Sequence, residues 1–334
     1  MLTLLLLLLT GAVAGYYLFL RSNVSLPSAD KSYLYIPTGA GFNDVLKLLD
    51  EKKLLKDKSS FVLIATSSGY DKKVIPGKYR LQPGMNNYEL IRLLHSGKQE
   101  PVKLVVKGSQ SLDRFIEYVS ANLEIEEGAL REKLNDAEFL GSLHLKKETA
   151  ACFIVPNTYE MFWNISLNKF LEKMEAGYDK FWTEERINLC KEAGLTRTEV
   201  VTMASIIEKE TDKESDLPVI AGVYINRLAK GMKLQADPTV LFAINGNGIQ
   251  RVGGAMLDYD SPYNTYKYPG LPPGPICIPS VQAVDAVLHY QKHDYIYFCA
   301  RADGSGYSDF TASYKEHQLN ARRYQKYLDD HNIK

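Results

Sequence analysis

Hydrophobic and polar positions divide this chain into stretches of different kinds. Residues 2–20 are uncharged and largely apolar. About 19 helical residues at roughly 1.5 Å each reach about 28 Å, close to the hydrocarbon thickness of a bilayer. The pattern predicts a membrane anchor over 1–22. Ala12-Val13-Ala14 would suit a signal-peptide cleavage site, but Tyr16-Tyr17-Leu18-Phe19-Leu20 carries the apolar run past it and no basic region precedes it. The uncleaved anchor is therefore the better reading. Either alternative exports the rest of the chain, although no Lys or Arg precedes the span for the positive-inside rule to count.

After a linker over 23–30, strand, glycine turn and amphipathic helix recur. Tyr33 to Gly39 leads into Phe42 to Leu49, Tyr79 to Gly84 into Tyr88 to Leu94, and Val102 to Gly108 into Leu112 to Val119. Such units must pack together to bury their apolar faces, so a compact α+β module is expected over 31–100. Helical periodicity follows at Glu124 to Leu134 and Leu167 to Trp182, with a Pro-broken, strand-like piece at Phe153 to Tyr159. Thr196 and Glu199 have capping-box spacing for a helix through Glu208. Asp216 and Pro218 open a second helix, Val219 to Lys230, which Gly231 closes. The two make a hairpin with Glu208 near its turn. Leu234 to Thr239 and Ser261 to Pro275 are interrupted by Pro and read as loops. Tyr295 to Ala300 reads as a buried strand, and Ser313 to Asp330 as a polar amphipathic helix.

Composition narrows the function. Lys and Arg number 40 and Asp and Glu 40, so the electrostatic footprint of a nucleic-acid binder is absent. Cys152, Cys190, Cys277 and Cys299 lack metal-type spacing, and the six histidines are dispersed. No metal and no cofactor is expected.

Glu208 is the sharpest chemical candidate. It follows Val200 to Ile207, a run apolar or small on every face. A carboxylate at the end of such a helix loses hydration, which disfavours its charged form and suits it to carry a proton as a general acid. The plainer alternative is that Glu208 marks the end of burial and points into water. The Pro-stiffened loops add amide, hydroxyl and phenol groups for sugar hydroxyls, and aromatic faces for a pyranose.

The first-half repeat resembles the LysM-like module of cell-wall proteins. Ala204 to Thr211, Asn226-Arg227-Leu228, Leu234 to Thr239 and Ser261 to Pro275 resemble, in order, the motifs of the MltG (YceG-like) family of endolytic murein transglycosylases. Val155-Pro156-Asn157-Thr158-Tyr159 resembles that family's Pro-Asp-Thr-Tyr motif, with Asn157 in place of Asp. The likeness runs from about residue 31 to the C-terminus. It implies an α+β protein: the anchor, the LysM-like module, and a mixed α/β catalytic domain over 101–334, core 151–334, whose helical hairpin carries the catalytic Glu. It also implies Glu208 as catalytic acid, peptidoglycan glycan strands as substrate, and cleavage between N-acetylmuramic acid and N-acetylglucosamine. Cutting would fall inside nascent strands and limit their length. Cell-wall synthases are expected partners, and the cytoplasmic membrane the expected location, with the catalytic part on its outer side.

The implied chemistry needs one carboxyl group. Most glycosidases use two, but here the muramic acid C6 hydroxyl is the nucleophile and closes a 1,6-anhydro ring. Gln235, Asp237, Tyr263, Asn264 and Thr265 are the candidates for holding the sugar, and Glu210, two residues along the helix, should face away from Glu208. One departure is Ser308, which stands where many relatives carry His in the segment Gly306 to Phe310. Two rivals stay open: a hydrolase of the same glycan in which Asp237 or another carboxylate activates water, and a non-catalytic, membrane-tethered glycan-binding protein, made conceivable by Ser308 and the LysM-like module.

Overall fold

The computed structural model describes residues 3, 9–11, 13, 15–26, 32–246, 249 and 252–331. The chain forms two compact units. The first comprises Met1–Leu104, Val119–Glu126 and Tyr159–Ser166; the second comprises Val105–Tyr118, Glu127–Thr158 and Leu167–Lys334. Residues 1, 2, 4–8, 12 and 14 of the expected anchor lie outside the described residues. No helix among the described residues is long and apolar enough to cross a membrane.

In the first unit, strands β1 (Tyr33–Ile36) and β2 (Gly77–Arg80) pair antiparallel, Leu34 opposite Tyr79 and Ile36 opposite Gly77. Alternation sends Leu34 and Ile36 inward against helices α1 (Phe42–Glu51), α2 (Lys58–Ser67) and α3 (Asn87–Ser96). Val45, Leu49, Phe61, Leu90 and Leu94 complete this core. The start of the expected linker belongs to it: Asn23 and Val24 are buried, and Ser22 and Val24 bridge to Asn86 and Leu55. Residues 27–30 of that linker lie outside the described residues.

The repeat is present in its first two copies, with α2 inserted between them. The third copy is divided, because β3 (Val102–Val106) and α4 (Leu112–Asn122) each contribute residues to both units. β3 pairs with β4 (Asn157–Met161).

The second unit is mainly helical, with α5 (Glu127–Lys133), α6 (Ala137–Ser142), α7 (Leu167–Phe181) and α8 (Glu184–Glu192) leading to α9 (Arg197–Glu210). The helix expected from Glu124 begins at Glu127, and the Glu124 N–H before it donates to the Trp163 carbonyl. Thr196 caps α9 as its spacing predicts: the Glu199 N–H reaches Thr196 Oγ1, and Glu199 Oε2 accepts the Thr196 N–H at 2.7 Å. Helix α10 (Leu217–Ala229) folds back on α9, and left-handed Gly231 follows its end.

Two expectations change in the second unit. Leu234 to Thr239 is only partly loop, because α11 (Asp237–Ala243) begins inside it with Pro238 in its first turn, where no backbone donor is required. The strand over Tyr295 to Ala300 is β5 (Tyr297–Ala300), half-buried throughout, paired antiparallel with β6 (Ser308–Thr311) and covered by α13 (Tyr314–Asp330). Helix α12 (Val281–Leu288) packs on α9 and α10.

Candidate active site

Every residue of α9 from Val200 to Ile207 is buried, so the helix runs through the unit's interior and emerges only at Glu208. Glu208 is half-buried. Its Oε2 accepts hydrogen bonds from Ser280 Oγ at 2.6 Å and from the Ser280 N–H at 3.3 Å. Ser280 also caps α12, its Oγ accepting the Ala283 N–H at 3.1 Å. One hydroxyl therefore joins the Glu208 carboxyl to the start of a helix.

Two strand-like segments brace that contact. Ser109 N–H donates to the Ile278 carbonyl at 2.7 Å, and Ile278 N–H to the Gln110 carbonyl at 2.9 Å. Gly108 lies so close that a Cβ there would stand 2.6 Å from Ser280 N, which requires glycine. Deeper in, Ser205 Oγ accepts the Ile276 N–H at 3.0 Å. Lys209 turns outward, and its Nζ donates to Ser109 Oγ and O at 2.7 and 2.8 Å.

Beside this assembly opens a cleft of about 510 Å3, lined by Ser109, Gln110, Arg114, Lys209, Phe242 and Cys277 among others. Its walls mix cations, amide and hydroxyl groups with apolar surface, a chemistry suited to a sugar chain. Phe242 is 40% exposed and lies 4.7 Å, centroid to centroid, from the Tyr263 ring. Burial raises the Tyr263 phenol pKa, with Glu148 adding to the shift.

The loop candidates separate into two kinds. Gln235 and Asp237 are exposed; Gln235 sits at φ +49°, and Asp237 Oδ1 accepts from Tyr266 Oη at 2.6 Å. Asn264 and Thr265 instead face inward. Asn264 is fully buried, donating to the carbonyls of Leu257 and Tyr259 and accepting the Tyr266 N–H. Thr265 Oγ1 accepts the Ala236 N–H at 2.9 Å and lies 2.9 Å from Thr239 Oγ1. These two side chains are engaged in holding the loop through their own hydrogen bonds.

Glu210 points away from Glu208, as helical geometry requires. Its Oε1 accepts from Tyr224 Oη at 2.5 Å. Burial pushes its pKa up to about 7; the Tyr224 hydrogen bond opposes the rise, Asp237 adds to it, and Arg227 opposes it. Asn226 donates to the His293 and Tyr295 carbonyls, and Arg227 to those of Ile296 and Leu234. That motif pair ties helix to loop. Ser308 is buried at the start of β6, its N–H donated to Asp216 Oδ2 at 2.9 Å. Asn157 is exposed at the start of β4, its Oδ1 accepting the Thr158 N–H.

Among the described residues, no group of three His, Cys, Asp or Glu side chains converges as metal ligands. Sequence reasoning missed Ser280, the Ser109–Gln110 wall and Phe242. Ser280 before the helical run Val281 to Leu288 was legible as a cap, but nothing local joins it to Glu208, 72 residues away.

Comparison with known proteins decides the family. The model of the YceG-like family matches residues 34–323. The chain belongs to that family. Among its relatives is a protein of Bacillus subtilis (strain 168) named endolytic murein transglycosylase, 29% identical, with the alignment covering 98% of this chain and 93% of that one. A protein of the same name from Streptococcus pneumoniae serotype 2 is 30% identical over 88% of this chain, which spans 59% of that longer protein. The crystal structure of a yceG-like protein from Listeria monocytogenes matches with TM-score 0.59 and 30% identity, covering 86% of this chain and 99% of that one. The YceG-like match includes α9, the Ser280 contact and the cleft.

Proposed function

We propose that this YceG-like protein is an endolytic murein transglycosylase, a lyase acting on peptidoglycan, with Glu208 as its single catalytic acid and base. The observation that carries the assignment to Glu208 is its place at the exit of a buried helix, beside the cleft, with both hydrogen bonds from Ser280 on Oε2. That leaves Oε1 for the substrate. Glu208 gives its proton to the glycosidic oxygen between N-acetylmuramic acid and N-acetylglucosamine, and the bond from C1 breaks. The carboxylate then takes the proton of the C6 hydroxyl as O6 closes on C1, leaving a 1,6-anhydro end and restoring the acid without consuming water. The attacking oxygen belongs to the same sugar, so proximity favours this path over external water.

Gln235, Asp237 and the Phe242–Tyr263 pair are the groups to hold the sugar. In the same reading, residues 2–20 anchor the chain in the cytoplasmic membrane, the first unit is a LysM-like glycan-contacting module, and the second unit acts on nascent strands outside the membrane, near the synthases that make them.

The test is mass spectrometry of glycan ends released from purified peptidoglycan by the full chain in detergent micelles, with Glu208→Gln in parallel. Ends one water lighter than a reducing sugar, lost in the variant, are expected. Reducing ends would make the protein a hydrolase and turn attention to Asp237. Strands bound but left intact would make it a tethered glycan-binding protein.

A further inference from the structure

The first unit carries an exposed apolar face that glycan cleavage does not explain. A cleft of about 610 Å3 on this face is lined by Phe19, Ile64, Tyr88, Ile91, Arg92 and His95, with others. Of its lining, Tyr88 is 52% exposed and Phe19 41%, and Leu63, next to Ile64 on α2, is 54% exposed. Soluble surfaces rarely leave side chains of this size clustered in the open unless something covers them.

What covers them is indicated by the chain itself. The helical turn Tyr16–Leu20, the end of the apolar N-terminal stretch, packs directly on α2 and α3. Asn87 Nδ2 donates to the Leu18 carbonyl at 2.9 Å, and buried Asn87 is in turn bonded to Ser60 and Asn23. Leu18 packs against the unit's core. Ser22 and Val24 continue at once into bridges with Asn86 and Leu55. Residues 16–24 are thus tied to the unit at successive positions.

If residues 2–20 lie in a bilayer, as proposed above, the position of Asn87 follows. From Leu18 to the last apolar residue, Leu20, is about 3 Å of helix rise, so the start of α3 stands within a few ångströms of the hydrocarbon boundary. The interfacial layer there is roughly 5–8 Å deep. The exposed groups suit that layer. Tyr16, Tyr17 and Tyr88 are aromatic with polar tips. The Arg21 guanidinium lies 5.0 Å from the Tyr17 ring and that of Arg92 5.7 Å from the Tyr88 ring, cations at the level of lipid phosphates.

We propose that the α2–α3 face of the first unit lies in the interfacial layer of the anchoring bilayer, with lipid filling the cleft beside Phe19. This rests on the anchor reading of residues 2–20. The face then fixes the unit's orientation on the membrane instead of letting it swing on a tether.

The experiment uses the full chain reconstituted into phospholipid vesicles, as Leu63→Trp, Tyr88→Trp and, on α1, Lys47→Trp. Flotation reads the anchor, and quenching of the added tryptophan emission by lipids brominated high on their acyl chains reads the face. Flotation of all three, with emission at positions 63 and 88 reduced by about half or more and position 47 unaffected, is the expected result. Flotation without quenching at 63 and 88 overturns the proposal and leaves the anchor standing. Equal quenching at all three positions overturns it too, since no one face would then be turned to lipid. Failure to float overturns both. Emission at 63 and 88 that changes with protein density but not with brominated lipid would assign the face to a second copy of the chain, against the proposal.

Discussion

Glu208 and Glu210 stand two residues apart on one helix, and their surroundings differ sharply. Glu208 meets a serine hydroxyl and a backbone N–H on one oxygen beside an open cleft. Glu210 is held by the Tyr224 phenol, with Asp237 near enough to raise its pKa further. Perturbed carboxylates are good site markers in general, yet here the one raised to about 7 faces the hairpin's interior. The partner separates the two: Ser280, next to the cleft wall, holds the proposed acid, and Tyr224, inside the hairpin, holds the structural one.

The largest effect should come from Glu208→Gln, which keeps shape but has no proton to give. Turnover should fall by roughly two to four orders of magnitude with glycan binding retained, as read by release of anhydro ends and by co-sedimentation with peptidoglycan. Near-normal turnover would remove Glu208 from the mechanism. The companion change, Glu210→Gln, should act on stability and its pH dependence. Between the ordinary carboxylate value of 4.5 and about 7, the unfolded chain ionises at this position while the folded chain stays protonated. Folding stability is therefore lost as pH rises through that window, by up to about 3 kcal/mol, and levels off above it. Glu210→Gln should lack this slope and melt above the parent at pH 8, the difference closing towards pH 4.5. Parallel melting curves across that range would exclude Glu210 as the titrating group.

Much of this contrast was legible in the sequence, and the unreadable part has a physical cause. The Thr196–Glu199 box, the buried run before Glu208 and the Gly231 stop are local signals, and all three hold. Phe61-Val62-Leu63-Ile64-Ala65 is a continuous apolar run without helical spacing, so it does not announce α2. Pro238 looked like a breaker, but it sits in a helix's first turn. Ser280 reaches Glu208 only through tertiary folding. Loop composition at Ser261 to Pro275 cannot tell which polar groups turn inward, and Asn264 and Thr265 do.

Asn264→Ala tests that inward assignment. The substitution removes the buried amide that bonds two part-buried carbonyls and one N–H, which should cost about 1–2 kcal/mol. Melting temperature and activity should fall together. A turnover loss at unchanged melting temperature would instead return Asn264 to the sugar.

The smallest effect expected is at Ser280, where one hydroxyl has two tasks. It caps α12 by accepting from Ala283, and it donates to Glu208 Oε2. Ser280→Ala should lose about 1 kcal/mol of stability through the cap and about tenfold in turnover, the equivalent of roughly 1.4 kcal/mol in the barrier. Ser280→Asp separates the tasks, since Asp caps a helix as well as Ser but brings a carboxylate against Glu208 in place of a donor. Its melting temperature should stay nearer the parent's than that of Ser280→Ala, while turnover falls below that of Ser280→Ala. If Ser280→Asp keeps parental turnover, the Ser280 hydroxyl has no part in orienting the acid, and the contrast between the two glutamates rests on the cleft alone.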